Sequence, residues 1–164
     1  MAFISGGYTV TYNAVATGQL FEGFTFNHTV FKEIITGDNI ARAAQDAVFQ
    51  GIDLSSDFTL GEWNKTTLLP LFWPYGAAWL TAGVVGRLDV GSSLVKQLIL
   101  TAIAGTPAAT EPATLTLPRS IIHEDFPVQT IMKPAHRRVP MRMRHYPALA
   151  VAGDPTSVIY GTLT

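Results

Sequence analysis

The stretch Ile52-Asp53-Leu54-Ser55-Ser56-Asp57-Phe58-Thr59-Leu60 decides the fold class. Ile52, Leu54, Phe58 and Leu60 alternate with Asp53, Ser55, Asp57 and Thr59, the period of a strand with one face on a core and the other in water. The wet face is acidic. Upstream, Tyr8-Thr9-Val10-Thr11-Tyr12 is β-branched and aromatic, and Leu20 to Ile35 carries Phe21, Phe24, Phe26, Val30, Phe31 and Ile34 among polar residues. Both read as strands. Asn13 to Gly18 supplies the turn between them, and Thr36-Gly37-Asp38-Asn39 ends the second. Asn39 to Val48 has two readings: a short helix capped by Asp38 with Ile40, Ala44 and Ala47 on one face, or a loop.

Downstream, the period changes. Trp63, Leu68, Leu69, Leu71 and Phe72 make a short helix over 62–72 that packs one flank on the sheet, with Pro70 kinking or ending it. Strand patterns return at Leu94 to Ile103, Leu115 to Glu124, Val128 to Met132, Val139 to Tyr146 and Val158 to Leu163, with Gly105 to Pro112 as a surface loop. These short intervals are those of an antiparallel sandwich or barrel. The expected fold is therefore mainly β: an antiparallel β-sandwich or barrel with one short flanking α-helix, in a single domain spanning residues 1–164.

Composition narrows the function. An apolar fraction of 48% supports a real core, whereas charged residues make up only 14%, well below the ~25% of an average soluble domain. So little charge implies surface committed to other protein, and hence an oligomer. The net charge of −1 argues against a nucleic-acid binder held by phosphate neutralisation. Charge is unevenly spread: residues 1–62 hold seven acidic and two basic side chains, a balance of −5, and the rest hold nine basic and five acidic, +4. The halves can pair within one chain or head to tail between subunits. With no cysteine, disulfides, thiolate metal sites and thiol catalysis are excluded together.

The N-terminal residues lack the basic and apolar regions of a secretory signal. Thr66 to Gly86 is uncharged and about as long as a ~20-residue bilayer span, but Pro70, Pro74, Gly76, Gly83 and Gly86 interrupt it. No membrane role is expected, and Asn27-His28-Thr29 and Asn64-Lys65-Thr66 are chance matches to glycosylation sequons.

No phosphate loop, dinucleotide fingerprint, nucleophile elbow or zinc-protease motif is present. His123-Glu124-Asp125, with His136 or His145, is the nearest thing to a metal or acid/base cluster, but neighbours on a strand point to opposite faces and do not converge. No catalytic residue, cofactor or metal is expected. Trp63, Trp73 and Trp79 read as packing residues before a stacking platform. Arg142 and Arg144 share one strand face while Val139, Met141 and Met143 share the other, so the arginines are expected to pair with the carboxylates around Asp53 and Asp57 or with a neighbouring subunit, rather than with DNA.

The order of short patterns resembles the tail tube (major tail protein) family of bacteriophages. The likeness runs through Gly7-Tyr8-Thr9-Val10-Thr11-Tyr12-Asn13, Gly18-Gln19-Leu20-Phe21-Glu22-Gly23 and Lys32-Glu33-Ile34-Ile35-Thr36-Gly37-Asp38. It continues in Phe49-Gln50-Gly51, Asp57-Phe58-Thr59-Leu60-Gly61-Glu62-Trp63-Asn64, Arg138-Val139-Pro140-Met141-Arg142-Met143-Arg144 and Gly161-Thr162-Leu163-Thr164. The resemblance implies a non-enzymatic virion protein, assembled in the host cytoplasm, whose hexameric rings stack with copies of themselves and with other phage tail proteins into a hollow tube. Double-stranded DNA passes through that tube during ejection without specific binding. It further implies lumen-facing positions at Asp53, Ser55, Asp57 and Thr59, and a ring-stacking loop containing Gly37, Asp38, Asn39, Arg42 and Gln45. The rival readings are another virion part (a tail terminator, head-to-tail connector or capsid decoration protein) and a carbohydrate-binding module.

Overall fold

The structure, a computed structural model, describes residues 7–36, 44–61, 71, 74, 88–91, 94–103, 113–125, 131–132, 137–149 and 158–164. Within these, ten strands account for almost all regular structure: β1 (Tyr8–Tyr12), β2 (Val15–Thr36), β3 (Ala44–Leu60), β4 (Lys96–Ala102), β5 (Thr114–Ile122), β6 (Ile131–Met132), β7 (Arg137–His145), β8 (Ala148–Leu149), β9 (Val158–Ile159) and β10 (Thr162–Leu163). The chain is mainly antiparallel β, as its alternation predicts.

Six strands close on themselves. β1 pairs with β2, β2 with β3, β3 with β7, β7 with β5, β5 with β4 and β4 with β1, every pair antiparallel. The result is a small barrel, and closure removes the unpaired edges that an open sheet exposes. Inside lie Val10 and Tyr12, Phe58 and Leu60, Leu98 and Leu100, Leu117, and Val139, Met141 and Met143, all nearly inaccessible to water. Each contributes ~1.5–3 kcal/mol through burial. Phe24 stacks on Phe58 at 5.6 Å between ring centroids, extending this core along β2.

Closure is uneven. β5 meets β7 only over Ser120–Ile122 and Met143–His145. Elsewhere along this seam β5 takes β10 as neighbour at Leu115 and Thr116, and β7 takes β6 at Arg137 and Arg138. Gly161 makes the β10 approach possible, because a Cβ there would lie 2.7 Å from the Thr116 carbonyl oxygen and from Leu117 Cδ2.

The first turn is tighter than the residues Asn13 to Gly18 imply. Asn13 and Ala14 alone form it, with φ of 51° and 62°, the doubly positive signature of a type I′ hairpin whose twist matches that of its strands. Residues 15–18 already belong to β2, where a bulge opposite Val10 and Thr11 is filled by the Thr17 hydroxyl donating to the Val10 carbonyl at 2.9 Å.

A second departure concerns Asn39 to Val48. Ala44 to Val48 is strand, part of β3, which overturns both the helical and the loop reading for those positions; residues 39–43 lie outside the described residues. Cross-strand pairing with Glu33 to Thr36 supplies the backbone partners that a short, poorly capped helix would have had to find internally. Of the expected helix over 62–72, only Leu71 is described; it is helical in backbone and 1% exposed, within the core. The tryptophans Trp63, Trp73 and Trp79, His136 and the loop 105–112 lie outside the described residues. The expected last strand from Val158 to Leu163 is two, β9 and β10, split at Tyr160 and Gly161.

Candidate functional site

Two features of β2 and β3 set this barrel apart: a polar face on its wall and an arm beyond it. The polar face follows from register. Thr25 pairs with Asp57, Asn27 with Ser55 and Thr29 with Asp53 on one side, while Asp57 pairs with Arg142 and Ser55 with Arg144 on the other. Directly paired residues share a face, and Phe58 and Met141 point inward, so all of these point away from the core. Asp53, Ser55, Asp57 and Thr59 thus lie along one outer stripe.

That stripe is less acidic than β3 alone predicts, because β7 lays its cations beside it. Arg142 holds Asp57 in a fork, Nε to Oδ1 at 2.6 Å and Nη2 to Oδ2 at 3.1 Å, and Asn27 Nδ2 donates to Oδ2 at 2.6 Å. The Arg142 hydrogen bond, outweighing partial desolvation, holds the Asp57 carboxyl below its ordinary range. Arg144 Nη2 lies 3.2 Å from Asp53 Oδ2 and 2.7 Å from Glu124 Oε1. Three carboxylates against two guanidiniums leave this patch with a net charge of −1. The arginines therefore have in-chain partners, one of the two pairings their alternation allows.

His123, Glu124 and Asp125 do converge, with potential ligand atoms all within 4.8 Å. Strand alternation does not hold them apart, because β5 ends at Ile122 and Glu124 and Asp125 form a turn. Arg144 already supplies the positive charge there: besides Glu124, its Nη2 lies 3.3 Å from His123 Nε2. The backbone N–H of Asp125 faces His123 Nδ1 at 3.2 Å. A neutral imidazole has one acceptor nitrogen and takes only one of these donors at a time.

The arm begins where β7 stops. β3 pairs with β7 only over Leu54–Leu60, and β2 pairs with β1 only over Val15–Gln19. From Thr29 and Asp53 outward the two strands pair only with each other among the described residues, projecting roughly 25 Å at ~3.3 Å per residue. A bulge at Gln50 and Gly51 lies opposite Phe31 and Lys32, and apolar residues at consecutive positions put apolar side chains on both faces. Phe31, Ile35 and Val48 occupy one face; Val30, Ile34 and Phe49 occupy the other. Ile34 is 62% exposed and Phe49 59%. Of the loop residues assigned to ring stacking, Gly37, Asp38, Asn39 and Arg42 lie outside the described residues, and Gln45 is in β3 near the arm's tip.

Two features of the structure go beyond the alternation of single strands. Apolar residues at consecutive positions, Val30-Phe31 and Ile34-Ile35, break strict alternation and are the signal that both faces of the arm are apolar. The buried contact of Ser56 and Ser120 with His145 leaves no sequence signal, because the three come from β3, β5 and β7. Although it joins a hydroxyl to an imidazole, it is no nucleophile site: both serines are 0% exposed and no substrate reaches them. Comparison with known protein families and with curated proteins finds no match to the chain in either. No described helix is long and apolar enough to cross a membrane.

Proposed function

We propose that this chain is a structural subunit of a bacteriophage tail, assembling with copies of itself into stacked hexameric rings that form the tube for DNA ejection. The observation that carries the reading is the arm. A two-stranded ribbon is marginally stable in water by itself, and one with large apolar side chains on both faces needs partners on both. A repeated subunit supplies them. The charged fraction of 14% supports the same conclusion, since surface buried between copies needs no solvation.

On this reading the stripe of Asp53, Ser55, Asp57 and Thr59 faces the lumen. With Arg142 and Arg144 engaged by their own chain's carboxylates, the wall offers phosphates few free donors, and DNA slides without sticking. Ring contacts then belong to the arm, and stacking to its tip around Gln45, rather than to the arginines. A ring whose two ends differ polymerises in one direction, with length set by other tail proteins of the virion.

Negative-stain electron microscopy of the purified chain over a concentration series tests this. Rings and open-ended hollow tubes are expected. Polymerisation that stops at a single ring would instead indicate a terminator or connector, and a monomer at every concentration would refute self-assembly.

A further inference from the structure

The barrel closes at its weakest seam through one buried side chain. His145 on β7 is 2% exposed, and its ring nitrogens meet Ser120 Oγ on β5 and Ser56 Oγ on β3, each at 2.8 Å. The imidazole therefore ties three adjacent strands at the level where β5 meets β7. Two backbone bonds flank the same seam, His123 N to Arg142 O at 3.0 Å and Tyr146 N to Arg119 O at 2.8 Å. β1 packs in through Tyr12, whose hydroxyl donates to the Ser120 carbonyl at 3.2 Å, and β2 through Phe26, whose ring lies 6.1 Å from the imidazole.

No anion faces this ring among the described residues. The titratable side chains on the core-directed faces of the surrounding strands are Tyr8 and Tyr12 on β1, His28 on β2, which pairs with Leu54, and Lys96 on β4, which pairs with Ser120. None is a carboxylate. Arg144, next in the chain, points to the outer face with Asp53 and Glu124. The neutral ring suits the site, since it donates from one nitrogen and accepts at the other, and a serine hydroxyl can do either. A protonated ring donates from both. The serine that had donated must then turn its hydroxyl, and a cation is left buried without a counter-charge.

We infer that His145 is an acid-sensitive clasp, so that protonating its ring releases β5 from β7 over Ser120–Ile122 while the other strand pairs of the barrel persist. The linkage has a definite sign. Burial pushes His145 down to about 4, whereas in the opened seam, in water, it returns to its ordinary value near 6.5. Acid therefore favours the opened form through the window between those values, and the opening equilibrium at pH 5 is about 25-fold larger than at pH 7.

Amide hydrogen exchange on the full chain, corrected for the pH dependence of intrinsic exchange, reads this directly. The seam amides that bond across β5 and β7 should gain about 25-fold in opening between pH 7 and pH 5, while amides of the β1–β4 pairing stay unchanged. His145→Gln, which cannot take a proton, should lose that pH dependence. If that variant does not fold, an NMR titration of the imidazole in the unaltered chain replaces it, with the ring expected to stay neutral well below pH 6. Seam exchange that does not change with pH, acceleration shared equally by all strands, equal acceleration in His145→Gln, or a ring titrating near pH 6.5 in the folded chain would each overturn the inference.

Discussion

Replacing Phe31, Ile34 and Phe49 together by serine removes apolar surface from both faces of the arm and tests what the arm is for. These side chains are 49%, 62% and 59% exposed, so roughly half of each remains to be buried by a partner. Full burial of such a side chain gives ~1.5–3 kcal/mol, and burying the exposed half gives about 1 kcal/mol or slightly more. Three substitutions therefore cost about 3–4 kcal/mol of association free energy per subunit contact. At ~1.4 kcal/mol per factor of ten, the concentration at which rings appear should rise about 100- to 1,000-fold. The barrel itself should lose no more than about 1 kcal/mol, since none of the three lies in its core. Sedimentation velocity over a concentration series, with thermal melting as the control, reads both quantities. Assembly at the wild-type concentration with the fold intact would refute the reasoning, because the exposed apolar faces would then have no role in association.

Other outcomes follow from the same geometry. Leu98→Ala, at a position 0% exposed in the barrel interior, should lower stability by about 2–5 kcal/mol in chemical denaturation. Ala14→Gly should raise it by about 0.5–1 kcal/mol, because Ala14 holds φ at 62° in the first turn and glycine adopts that conformation without a Cβ penalty. Asp57→Asn should cost about 1 kcal/mol or less at neutral pH, the pair being partly solvated. Since Arg142 lowers the Asp57 carboxyl below its unfolded value of 3.8, that contribution is complete above the unfolded value and disappears as pH falls through the lowered one. Denaturation curves of the variant and wild type should therefore converge in strong acid.

The barrel wall was legible because its strands obey period two. Ile52 to Leu60 and Val139 to Tyr146 place Phe58, Leu60, Met141 and Met143 inward and their charged neighbours outward, as the alternation requires. The segment Ala44 to Val48 was misread because its alanines favour a helix locally, whereas the winning term is pairing with β2 across a hairpin, which local propensity does not contain. Alternation likewise puts Asp53 and Asp57 on an outer face and allows Arg142 and Arg144 either these carboxylates or a neighbouring subunit as partners; β7, more than eighty positions away, brings the arginines beside the carboxylates of their own chain. The Ser56–His145–Ser120 bridge has no such signal, because its three residues come from three strands that no local pattern places together. Closure of a barrel by β5 and β7 is a long-range property, and the residues that serve it carry no pattern of their own.

The central claim is that the arm is buried between copies of this chain, and the absence of cysteine from the sequence allows a direct measurement of it. Ala47 is exposed on β3 opposite Ile34, midway along the arm's outer half, and A47C adds a single thiol with little change in volume. Its rate of reaction with a maleimide should be that of a free thiol in dilute, unassembled protein and should fall by at least about tenfold once rings or tubes form, because burial shields the thiolate from the reagent. An equal rate in the assembled and unassembled states would contradict the account, since the arm would then remain in water however the subunits associate.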